Sequence, residues 1–99
     1  MVFIKLLKVK GDSMYPTISE GSIVFVSFIK YLFTNPKVGD IIVVKTNKFN
    51  NIPILKRVSD IKNNEYYILG DNLNDSLDSR KFGYIRKQDI VGKVLFSLF

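Results

Sequence analysis

Hydrophobic residues fall along this chain in short runs separated by Gly, Asn, Asp and Pro, and no run keeps a 3.6-residue period over the length of a full helix. Residues 2–9 (VFIKLLKV) are rich in aliphatics and predict a first strand. Residues 23–29 (IVFVSFI) form a continuous β-branched and aromatic run, expected of a strand buried on both faces. Residues 40–45 (DIIVVK) follow the turn Val38-Gly39-Asp40. Residues 52–59 (IPILKRVS) follow a polar turn at 47–51, with Pro53 marking an edge or a strand start. Residues 65–69 (EYYIL) lie between Lys62-Asn63-Asn64 and Gly70-Asp71, residues 70–80 read as a polar loop, and residues 90–96 (IVGKVLF) make a last strand. Short helical turns are expected at 16–18 or within 29–33. Six short strands with this punctuation predict a mainly β fold, a small antiparallel coiled sheet or barrel. With no repeat and no linker, residues 1–99 are expected to form a single domain.

Composition narrows the chemistry. Hydrophobic residues make up 46% of the 99, enough for a core and too many for a disordered tail. Cysteine is absent, which excludes a disulfide-stapled fold and thiolate metal sites. Histidine is absent too, so no His-assisted nucleophile, HExxH metal site or haem axial histidine exists. Any base must be a carboxylate, a lysine or an external group, and no cofactor or metal is expected.

Fifteen Lys+Arg against nine Asp+Glu give a net charge of +6. That balance suits nucleic acid, an anionic membrane surface or an acidic partner. The basic residues are scattered, however, and form no block. A small basic β-domain that binds nucleic acid, helped by five Tyr and eight Phe, is the alternative this charge supports.

The longest apolar stretch, residues 22–33 (SIVFVSFIKYLF), is broken by Lys30 and is too short for a bilayer. The first residues, MVFIKLLKVK, lack the small-residue cleavage site of a signal peptide. Residues 25–33 read as a buried strand running into a turn; the other reading is an apolar lip that dips into a membrane surface. Peripheral membrane and cytoplasmic locations both stay open.

Three segments carry candidate chemistry. In Gly11-Asp12-Ser13-Met14-Tyr15-Pro16-Thr17, glycine permits close backbone approach and Pro16 stiffens the chain after the serine. A turn of this kind presents a hydroxyl and a main-chain N–H together, as a nucleophile and part of an oxyanion hole require. In Ile54-Leu55-Lys56-Arg57-Val58, strand alternation sets Lys56 on one face with Ile52, Ile54 and Val58. Such a lysine either snorkels out, the commoner outcome, or is desolvated and becomes available as a general base. Arg57, on the opposite face, stays protonated. The third segment, residues 70–80 (GDNLNDSLDSR), is rich in Asp and Asn but fails the EF-hand spacing. Asp71, Asp78 and Arg80 suit an ion-pair network that orders the loop and sets Ser76 or Ser79 to hydrogen-bond a lysine.

Together and in this order, GDSMYPT, ILKRV and GDNLNDSLDSRKFG resemble the type I signal peptidase family (S26-type) of Ser–Lys serine endopeptidases, over roughly residues 9–94. The first motif alone is shared with self-cleaving repressor-like proteins, which lack the third. The resemblance implies the family's antiparallel β catalytic core, with Ser13 as nucleophile and Lys56 as general base. It implies Ser76 as the serine that orients the lysine, Asp78 and Arg80 as a structural ion pair, and Asp71 and Asn72 in a turn beside the site. Met14 and Pro16 would shape the nucleophile turn. It further implies a precursor protein or peptide substrate cut after small residues. Gly11 stands where Gram-negative members carry a hydroxyl donor, which leaves any second oxyanion donor unassigned. The short chain is expected to be a core without the family's anchor or insertion domain, similar to nickel-type superoxide dismutase maturation proteases.

Overall fold

The strands are β1 (Ile4–Lys8), β2 (Ile23–Ser27), β3 (Ile41–Val44), β4 (Ile54–Lys62), β5 (Glu65–Leu69), β6 (Ile85–Arg86) and β7 (Ile90–Leu98), with one-turn helices α1 (Lys30–Phe33) and α2 (Ser79–Phe82). They belong to a computed structural model of the protein that describes residues 3–74 and 77–98. All pair antiparallel in one sheet ordered β1-β2-β7-β3-β4-β5-β6. The long strands β4 and β7 carry the sheet around: β7 bridges β2 to β3, and bulges at Phe25/Val26, Val43/Val44 and Val58/Asp60 raise the local twist.

The sheet curls over two packed clusters. Tyr31, Ile42, Val44, Val58, Tyr66, Ile68, Ile85 and Ile90 form one, and Val9, Met14, Ile18, Val24, Val26, Val43 and Val94 the other. Successive residues of β3 point into different clusters, which explains an uninterrupted apolar run at its centre. Gly92 on β7 is where strands crowd most closely: a Cβ there would lie 2.6 Å from Val26 Cγ1 and 2.9 Å from the Ser27 carbonyl oxygen.

All six expected strands are found, and the mainly β antiparallel class with them. Pro53 does precede the start of β4. The β4–β5 hairpin turns at Asn63 and Asn64, whose φ values of 53° and 62° are those of a tight left-handed turn that Asn tolerates. Two expectations need correction. Strand β2 is not buried on both faces: Val24 and Val26 are, whereas Ile23 is 41% exposed and Phe25 stacks on Phe96 with ring centroids 4.3 Å apart. Its outer face continues into exposed Ile4, Leu6, Phe96 and Leu98, and Leu32 and Phe33 of α1 are likewise exposed. Strand β6 was not expected; its two residues pair with Glu65 and Tyr66 at the start of β5. No described helix is long and apolar enough to cross a membrane.

Candidate active site

Past Tyr66, β5 has no strand on its outer side among the described residues, and side chains from the following loop take the strand's place. Ser79 Oγ accepts the Ile68 N–H at 2.8 Å, and Asp78 Oδ2 accepts the Gly70 N–H at 3.0 Å. Asp78 is fully buried and also caps α2 by accepting the Arg80 N–H at 3.2 Å. The Arg80 guanidinium closes on the same carboxylate, Nε to Oδ1 at 2.9 Å, and Nη2 reaches the Leu73 carbonyl at 2.7 Å. This pairing raises the Arg80 pKa further. Buried Ser79 is therefore engaged with the backbone of β5.

The same loop reaches across to the Ser13 turn. Asn72 N–H donates to the Ser13 carbonyl at 2.9 Å, and its side-chain Nδ2 donates to the Asp12 carbonyl at 3.1 Å. Asp71 accepts the Thr17 hydroxyl and both forks of Arg57, Nε and Nη2 each at 2.8 Å. Hydrogen bonding from Arg57, then from Thr17, holds the Asp71 carboxyl below its ordinary range against the opposing effect of burial. Arg57 also donates to the Gly39 carbonyl at 2.8 Å. Asp71 thus joins the base of the third segment to the first through Thr17, and Arg57, on the far face of β4 from Lys56, ties that junction to the strand.

The turn itself runs from Gly11, at φ 81° and with its N–H on Glu20 Oε1 at 3.1 Å. It closes by the Tyr15 N–H to the Asp12 carbonyl at 3.1 Å, before a cis Tyr15–Pro16 bond. Met14 points into the core beside Ile18 and Val24, so Ser13, half-buried, is left toward the opening.

There it lines a cleft of about 400 Å³ whose walls are residues 7–10 on one side and residues 52–56 on the other. Ser13, Met14 and Lys56 all line it. Lys56 is only 3% exposed, so the common snorkelling outcome does not hold here. Its Nζ lies 6.0 Å from the ring centroid of Phe49, which packs edge-on against Phe82 at 5.4 Å. Pro16 is exposed and does not line this cleft, and neither do Asp71, Asn72, Asp78 and Arg80. Ser76 lies outside the described residues. A further cleft of about 370 Å³, on the Arg57 and Asp71 side of β4, is lined by Ser59 but by no lysine that could serve it as a base. No described cluster of carboxylates is arranged to hold a metal ion.

Reading the sequence missed Phe49, Thr17, the role of Arg57 and the Asn72–Asp12 bond. The three bonds join residues 14 to 60 positions apart, which no local spacing signals.

The family profile described as "Signal peptidase, peptidase S26" matches residues 1–60 and 59–99. The chain is 27% identical over 136 residues to the probable signal peptidase I-1 of Synechocystis sp., covering 92% of this chain and 69% of that protein. It is 31% identical over 109 residues to the mitochondrial inner membrane protease subunit 1 of Mus musculus, covering 90% and 66%. Identity to the signal peptidase I of Buchnera aphidicola subsp. Baizongia pistaciae is 42%, over 36 residues and 12% of that protein. The chain thus spans about two thirds of the length of the first and second of these relatives and a small part of the third.

Proposed function

Because this chain belongs to the signal peptidase family, peptidase S26, we propose that it is a serine endopeptidase whose Ser13–Lys56 dyad removes N-terminal signal or leader peptides after small residues. The observation that carries the reading is the cleft itself: it is lined by a serine on a tethered turn and by a lysine 3% exposed in the middle of a strand. An amine withdrawn from water holds its proton less firmly than one in solvent, which suits a general base that must act without histidine.

The chemistry balances with these two groups and water. Lys56 Nζ takes the Ser13 Oγ proton as the oxygen bonds to the scissile carbonyl carbon, and the Ser13 N–H stabilises the resulting oxyanion. The carbon–nitrogen bond then breaks, Lys56 returning its proton to the leaving amine. Water, deprotonated by the same amine, hydrolyses the acyl ester. Ser76 is assigned the family's task of orienting Lys56, and Asp78 with Arg80 that of ordering the loop that carries it. Leu7, Val9, Met14, Ile52 and Ile54 give the cleft apolar walls suited to short apolar side chains.

Ser13→Ala and Lys56→Met test the dyad on peptides bearing a small residue before the scissile bond. Both are expected to lower kcat at least ~10³-fold. Circular dichroism of both variants separates a loss of chemistry from a loss of fold. Undiminished cleavage by either variant would remove the dyad from the mechanism.

A further inference from the structure

An oxyanion donor works only if its N–H is already aimed when charge develops, so the feature to look for is whatever fixes the peptide plane that carries it. In the dyad reading that plane joins Asp12 to Ser13. A trans peptide holds its C=O and N–H in opposite directions, so anchoring one aims the other. The Asp12 carbonyl accepts from Tyr15 N and from Asn72 Nδ2, each at 3.1 Å. The Tyr15 bond is internal to the turn and moves with it. The Asn72 bond ties the plane to the end of β5, which Asp78 and Ser79 fasten from the other side. Ser13 N–H, pointing away from Asn72, has no hydrogen-bond partner among the described residues, on a residue that lines the cleft.

We propose that the Asn72 side chain is the positioning residue of the oxyanion hole: by holding the Asp12 carbonyl it aims the Ser13 N–H at the oxygen of the tetrahedral intermediate. The proposal rests on the Ser13–Lys56 reading and deepens it. Backbone and side chain of Asn72 divide the work. Its N–H on the Ser13 carbonyl positions the turn as a whole and is kept when the side chain is truncated, whereas Nδ2 alone orients the plane of the donor.

Asn72→Ala and the near-isosteric Asn72→Asp isolate that bond. Deleting an oxyanion donor outright costs roughly 10²- to 10³-fold in kcat; here the donor stays and only its aim is lost, so about 10- to 100-fold is expected. KM should hold. The inhibition constant of a small-residue peptide boronic acid, which forms a tetrahedral adduct on serine, should rise by the same factor as kcat falls. Asn72→Asp, setting an oxygen against the Asp12 carbonyl oxygen, should lose at least as much as Asn72→Ala.

Either variant, with wild-type circular dichroism, decides the matter. Unchanged kcat and boronate affinity overturn the assignment, and so does a kcat loss without a matching loss of boronate affinity. Wild-type protein that neither cleaves nor binds the boronate overturns the dyad reading and this inference with it. Wild-type activity beside an unaffected variant overturns the inference alone.

Discussion

Replacing Asp78 by alanine tests whether one buried carboxylate holds the loop behind the cleft. Asp78 is fully buried and accepts from Gly70 N–H at 3.0 Å, from Arg80 N–H at 3.2 Å and from the Arg80 guanidinium. Alanine strands the buried Gly70 N–H, at a cost of about 1–3 kcal/mol. It also removes the helix cap, worth about 1 kcal/mol. The Arg80 side chain reaches water and can re-solvate, so the ion pair itself adds little. The expected loss is about 3 kcal/mol, a large part of the 5–15 kcal/mol typical of a domain, and lowers Tm by roughly 10–20 °C. Asn in the same place keeps an acceptor and the shape but loses the charge, so it should lose about half as much. Urea titrations followed by far-UV circular dichroism and by tyrosine fluorescence measure both, the chain having five Tyr and no Trp. An Asp78→Ala loss below about 0.5 kcal/mol would mean that the Gly70 N–H finds another acceptor and that the carboxylate does not hold the loop.

Two further outcomes follow from the packing and from Arg57. Gly92→Ala would force its Cβ to within 2.6 Å of Val26 Cγ1 and 2.9 Å of the Ser27 carbonyl; a loss of about 1–3 kcal/mol in urea stability is expected, and an unaffected midpoint would show that β2 and β7 can part there at no cost. Asp71, whose carboxyl sits below its ordinary value of 3.8 because of Arg57, contributes stability that is present above that value and lost as pH falls through the lowered one. Arg57→Met should therefore cost about 1 kcal/mol at neutral pH. The gap to wild type should close as pH falls below 3.8, and a gap that persists in strong acid would refute the pairing as its source.

The strand content was legible because period-2 runs and turn residues are local properties. Residues 65–69 were read with the bounds they have, and the Asn63-Asn64 turn that precedes them is of a type Asn favours. What failed depends on distant partners. The apolar run of β2 gave no sign that Phe25 would be covered by Phe96 rather than by the core, since both environments demand the same residue types. Strand β6 is two residues long and exists because the start of β5 offers it a partner. At the site, the serine turn and the lysine strand were visible as motifs, but alternation alone left Lys56 two destinations. The aromatic surroundings come from Phe49 and Phe82, in segments on either side of it in the chain, and only the closed fold brings them together.

The absence of histidine makes that burial informative. An imidazole in water already titrates near neutral pH, but an amine must be withdrawn from water before it can serve as a base there. Withdrawal needs a rigid element with packed neighbours on both sides, and β4 supplies one: Lys56 pairs with Ile42 of β3, and β5 pairs with the same strand from Arg57 onward. A nucleophile has the opposite need, because its hydroxyl must stay at an opening. Ser13, the proposed nucleophile, sits on a turn outside the sheet, and such a turn gains no precision from strand pairing. Its precision comes from side chains instead: Asn72 on the carbonyls to either side of the Ser13 nitrogen, and Asp71 on Thr17 and Arg57. The third segment, which contributes no described group to the cleft, is thus what holds the turn in register with the strand.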